Sequence, residues 1–100
     1  MKLVQKIKVK GTIYKIYISQ VPNGVEGLCY KVEKEIILGN HLSVDRMLST
    51  LAHELAHAFC HETFMDQTLD RTQEEIFCEI VACMMTEYSD FFRELKKKLK

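Results

Sequence analysis

The sequence predicts an α+β fold, a small antiparallel sheet packed on one helix with a second helix beside it. Two observations carry this. Up to about residue 42, apolar and β-branched residues alternate with polar ones or form short runs between turn residues. From Ser43 onward they recur every three to four positions. A chain of 100 residues has room for one core, so residues 1–100 read as one domain.

The strands come first. Leu3, Ile7 and Val9 alternate with Lys6, Lys8 and Lys10 before Gly11 interrupts the run. "TIYKIYIS" follows, rich in β-branched and aromatic residues. "VPNG" at 21–24 holds the only proline and reads as a turn. "GLCYKV" and "EIILGN" flank a tight turn at Glu33 and Lys34. The expectation is four short strands in antiparallel hairpins.

Two long helices follow. Ser43 suits an N-cap, and Asp45 suits the positive end of the first turn. On a wheel of 100° per residue, Val44, Met47, Leu48, Leu51, Ala52, Leu55, Ala58 and Phe59 form one apolar arc. His53 and His57 lie roughly opposite its centre. A second helix is expected from about Thr72 to Tyr88, apolar nearly all round except for a stripe carrying Glu75 and Glu79. "FFRELKKKLK" reads as a short terminal helix with a solvated lysine end.

Composition narrows the function classes. The formal net charge is zero, which argues against nucleic acid or an anionic membrane as partner. No window approaches the ~20 apolar residues of a membrane span. The lysine-rich start lacks the apolar run of a signal peptide, so a cytoplasmic protein is expected. Cys29, Cys60, Cys78 and Cys83 form no CxxC pair and read as reduced, mostly buried thiols. Cys60, nearest the histidines in sequence, is the one to watch as a stray metal ligand.

The chemistry concentrates in "TLAHELAHAFCHE", residues 50–62. Residues at i and i+4 of a helix project from one face about 6 Å apart along the axis, so His53 and His57 can close on one divalent ion. Glu54 is offset by one residue and can reach a water beside that ion without being a ligand. This is the logic of HExxH, in which two imidazoles hold zinc and the glutamate acts as general base. Uncharged Ala52, Leu55, Ala56, Ala58 and Phe59 flank the pair. His61 lies roughly 12 Å from His53 along a straight helix and reads as a rim residue. His41 reads as a turn histidine. Tyr30, His41 and Tyr88 are the candidates for stabilising an oxyanion.

A hydrolytic zinc needs one more protein ligand and an open position. The second helix offers Glu74, Glu75 and Glu79, and spacing alone does not order them. One carboxylate would bind the metal and another would hold a histidine's outer nitrogen. "EIILGN" is the candidate strand for pairing with an extended substrate.

"HELAHAF", with the downstream "EEIFCEIVA", resembles the zincin-like gluzincin metallopeptidases, in particular the minimal, phage-associated ImmA/IrrE-like family. The resemblance covers roughly residues 27–85. It implies His53, His57 and Glu75 as zinc ligands, Glu54 as base and Glu79 as the support of a histidine. Relatives often carry aspartate or asparagine where this chain has the longer Glu79. The family's association with cleaving phage or stress-response repressors implies a protein or peptide substrate of that kind. The alternative is a zinc-binding regulatory or partner-binding module without turnover. An intact Glu54 speaks against it, since a purely structural site needs no base.

Overall fold

The computed structural model describes all of residues 1–100. Two strands, β1 (Lys2–Val9) and β2 (Thr12–Ser19), pair antiparallel through a two-residue turn at Lys10 and Gly11. Both turn residues have positive φ, 51° and 86°, as a hairpin turn that matches the strand twist requires. A second antiparallel pair is formed by β3 (Gly27–Tyr30) and β4 (Glu35–Gly39).

The α+β class holds, but the sheet is mixed rather than antiparallel throughout. Its order is β1-β2-β4-β3, and β2 runs parallel to β4, with Ile16 opposite Ile36 and Ile18 opposite Leu38. Residues 20–26 carry the chain past the position beside β2 to the far edge, and β4 returns into the gap. The reason lies in β4 itself. Ile36, Ile37 and Leu38 are consecutive and all buried, so this strand has two faces to cover and belongs in the centre. The substrate-edge assignment changes with it: β4 is paired on both sides, and the free edge on that side of the sheet is β3.

The inner face of the sheet brings Val9, Tyr14, Ile16, Ile36 and Leu38 against Ala58 of helix α1 (Val44–Glu62). Ser43 caps that helix, its Oγ accepting from the Arg46 N–H at 3.2 Å. At the other end of α1, Glu62 accepts hydrogen bonds from Thr12 (3.0 Å), the buried Tyr14 hydroxyl (2.7 Å) and Lys34 (2.6 Å). One carboxylate thus ties the helix end to both hairpins.

The apolar arc expected for α1 is covered in part: Ala52 and Ala58 are buried, and Met47, Leu51 and Leu55 pack half-buried against the core. Thr50, Ala52, Glu54, Ala56, Ala58 and Cys60 are covered, whereas Val44, Leu48 and Phe59 are exposed. The helix is pressed on two sides, by the sheet and by helix α2 (Arg71–Lys98), so small residues are buried where its neighbours come closest. A short 3-10 turn, Met65–Gln67, links the helices after Phe64 adopts a left-handed φ of 63°. Asp70 and Gln73 form a reciprocal capping box at the start of α2. The expected break after Tyr88 is absent. No glycine or proline interrupts residues 71–98, and α2 runs unbroken for 28 residues, chiefly against α1. No helix of the chain is long and apolar enough to cross a membrane.

Candidate metal centre

Helix α2 crosses α1 in the opposite direction, so rising numbers on one meet falling numbers on the other. Glu74 and Glu75 face His57, and Glu79 faces His53. The two imidazole rings stand edge to face with centroids 5.0 Å apart. Glu75 lies between them, with Oε1 2.8 Å from His57 Nε2 and Oε2 3.2 Å from His53 Nε2. His53, His57 and Glu75 therefore converge as a three-donor set.

The outer nitrogens decide what this set can hold. His53 Nδ1 lies 3.0 Å from Glu79 Oε2, and His57 Nδ1 is hydrogen-bonded to Glu74. An ionised carboxylate only accepts, so each Nδ1 donates to its own glutamate, and this turns each Nε2 toward Glu75. A neutral ring held in this way offers its Nε2 lone pair to a cation bound beside Glu75. Two imidazole nitrogens and a carboxylate are donors that suit a divalent metal ion.

Of the three acids, Glu74 is the buried one, at 8% exposure, while the Glu75 and Glu79 side chains are about half open or more. The sequence suggested the reverse, with Glu75 and Glu79 embedded in an apolar helix. α1 is the chief neighbour of this part of α2, so its inward edge sinks and the next residues round the helix stay wet. Lys31, 3.4 Å from Glu74, partners the buried charge. The part Glu74 plays at His57 was not foreseen. The adjacent "EE" was the available signal, because neighbours on a helix point about 100° apart and cannot serve the same nitrogen.

Glu54 is buried behind the pair, and burial pushes its carboxyl above the ordinary value, opposed by His57 and His53 and assisted by Glu75. It lines two adjoining cavities of about 390 and 540 Å³ that also share Gly27, His57 and Glu75. Gly27, on the edge strand, is there for space. A Cβ at that position would lie 2.7 Å from Thr50 Cγ2 and 3.2 Å from Glu54 Cγ. The glycine lets β3 close to the depth of Glu54.

The remaining candidates fall elsewhere. His61 pairs with Asp66 at 2.8 Å. His41 packs over Gly39 in the turn before α1. Neither His41, Tyr30 nor Tyr88 lines the two cavities. Cys60 is sealed in a cluster with Ala56 and Cys78 and is not the thiol beside the histidines. Cys78 is that thiol, close to His57 and Glu74 in a second, fully buried set of donors. Burial raises the Cys78 thiol well above its usual range. The two sets share His57, with Glu74 and Cys78 on the buried side of its ring and Glu75 and His53 on the open side.

A family model described as Peptidase_M78, IrrE N-terminal-like domain, matches residues 12–99, which takes in both helices and every strand but β1. No curated protein and no solved structure matches the chain.

Proposed function

The chain belongs to the IrrE N-terminal-like peptidase family, a metallopeptidase type, and from that premise we propose that it is a zinc-dependent endopeptidase. His53, His57 and Glu75 would hold the metal, and Glu54 would be the general base. The observation that carries the reading is the preset pair of imidazoles. Both outer nitrogens are already engaged by carboxylates, and both Nε2 atoms converge with a third acid.

Zinc bound there would act as the Lewis acid that polarises the scissile carbonyl and acidifies the attacking water. The chain's own residues do the rest. Glu79 and Glu74 fix the tautomer and tilt of the two rings. Glu54, with its affinity for a proton raised by burial, takes one from the water and returns it to the leaving amine. The free edge of β3 offers backbone groups to an extended peptide. Glu26 C=O already accepts from the Gly39 N–H, so the alternation of an antiparallel ladder turns Gly27 and Cys29 outward. A peptide paired there would run past Glu54, because Gly27 touches both.

The substrate class that fits is a protein segment able to extend, and a phage or stress-response repressor is the candidate the family resemblance supplies. Cys60, sealed with Ala56 and Cys78, is not among the convergent donors. The test is Glu54→Gln in the zinc-loaded chain, assayed on an unfolded protein substrate. The variant should keep its metal and lose about 10²- to 10⁴-fold in hydrolysis. Loss of the metal instead, or unchanged cleavage, would overturn the assignment.

A further inference from the structure

The two cavities that meet at Glu54, His57 and Glu75 follow one another along the edge strand β3. Val25 and Glu26 line the one of about 390 Å³, Cys29 and Lys31 line the one of about 540 Å³, and Gly27 lines both. A peptide paired along that edge sends residues from one side of the scissile bond into each cavity. Which residues are accepted then depends on the side chains beyond the metal donors and Glu54.

Almost every charge among them already has a partner. In the first cavity the guanidinium of Arg46 is held by Glu26 through contacts of 2.6 and 2.7 Å, and Glu79 is bonded to His53. In the second, Lys31 is shared by Glu74 at 3.4 Å and Asp66 at 3.7 Å. Asp66 also binds His61 at 2.8 Å, and Glu74 is bonded to His57. One charge is left over. Arg71 lines the second cavity, is exposed, and makes no ion pair. It is the first residue of α2, where the helix dipole disfavours a cation, and the neighbouring Asp70 is bound to the Gln73 N–H at 2.8 Å. Its place therefore costs the helix a little stability. Half-buried Leu28, Cys29 and Leu69 supply the apolar lining of the same cavity.

We propose that the second cavity is a specificity subsite for an acidic side chain of the substrate, and that Arg71 is the residue that selects it. This subsite rests on the peptide-cleaving reading of the cleft. A carboxylate fits the paired N–H groups of a guanidinium, and the carbon stem of an acidic residue suits the apolar lining beside it. A basic side chain in the same place meets like charge. Arg71 stands one helical turn before Glu75, about 6 Å along α2, and an extended peptide advances about 3.3 Å per residue. The acid therefore falls about two residues from the scissile bond, on the side toward Cys29.

Binding is separated from turnover by using the zinc-loaded Glu54→Gln chain. The probes are short fluorescent peptides with blocked ends, identical but for a single Glu, Gln or Lys among serines and valines. Fluorescence anisotropy should rank them in that order. The Glu peptide should bind about 2- to 5-fold tighter than the Gln peptide, the range of an exposed ion pair, and the gap should close as salt is added. Adding Arg71→Glu should invert the order. It should leave zinc affinity unchanged by chelator competition, since Arg71 is bonded to none of the metal donors. A chain end carries a carboxylate too, so a Gln peptide with its C-terminus free is a further probe. Tighter binding of that peptide alone would put a chain end in place of the side chain and overturn the proposal. Equal affinities for the blocked peptides, no binding of any, or an order that survives Arg71→Glu would overturn it as well. If the order holds but the parent chain cuts none of the peptides, the acidic subsite stands and the peptidase reading fails.

Discussion

Each imidazole at the centre is held from behind by its own carboxylate, His53 by Glu79 and His57 by Glu74. The two supports differ in setting, because Glu74 is buried with Lys31 as its partner and Glu79 is largely exposed. A hydrogen bond screened from water holds its geometry more tightly than one that water competes for. Glu74→Gln and Glu79→Gln should each weaken zinc binding by about 10- to 100-fold, the Glu74 change by more, while Glu75→Gln should remove most of the affinity. Chelator competition on the three variants measures this, and equal affinities for all three would contradict the division of roles. His53, Glu54 and His57 were legible in the sequence because their relation is local to one helix turn. The choice among Glu74, Glu75 and Glu79 was not, since it depends on the rotation of α2 about its own axis as it crosses α1.

At the scale of elements, the end of α1 is fixed through Glu62, whose carboxyl is held down at about 2 by hydrogen bonds from Lys34, Tyr14 and Thr12. The folded value lies below the ordinary 4.5, so this group's contribution to stability is present above about pH 4.5 and is lost as the pH falls through about 2. Thermal melts over that acid window should show stability falling, and Glu62→Gln should flatten the slope while lowering the melting temperature at neutral pH. A variant with the same acid slope as the parent would remove Glu62 as the cause. The elements themselves were largely legible: the break at Gly11, the Ser43 cap and both helical periods are local signals. The parallel β2–β4 pair was not read, although the unbroken "IIL" of β4 carried the sign of a strand covered on both faces. The length of α2 was missed for a related reason. Its solvated end looks like a separate helix when what matters is the lack of any residue able to stop it.

For the whole molecule, the deciding quantity is how little is sealed. Only 16 of the 100 residues are buried, and the radius of gyration is 14.2 Å against about 13 Å for a compact domain of this length. The sheet and α1 share the main cluster, whereas α2 adds a small one of Ala56, Cys60 and Cys78. A domain with so small a core needs a further tie, and a metal bound through His53, His57 and Glu75 would join α1 to α2 beside that smaller cluster. A ligand that binds only the folded chain stabilises it by about 2.7 kcal/mol at a hundred times its dissociation constant. For a domain near 100 residues that corresponds to a rise in melting temperature on the order of 10–20 °C. Zinc added to chelator-treated protein should therefore raise the melting temperature by that amount. Amide exchange should slow most along 71–86 of α2, opposite α1, and least along the β1–β2 hairpin, which does not touch the centre. Uniform slowing across both regions, or no rise in melting temperature, would mean that the metal does not bridge the two helices.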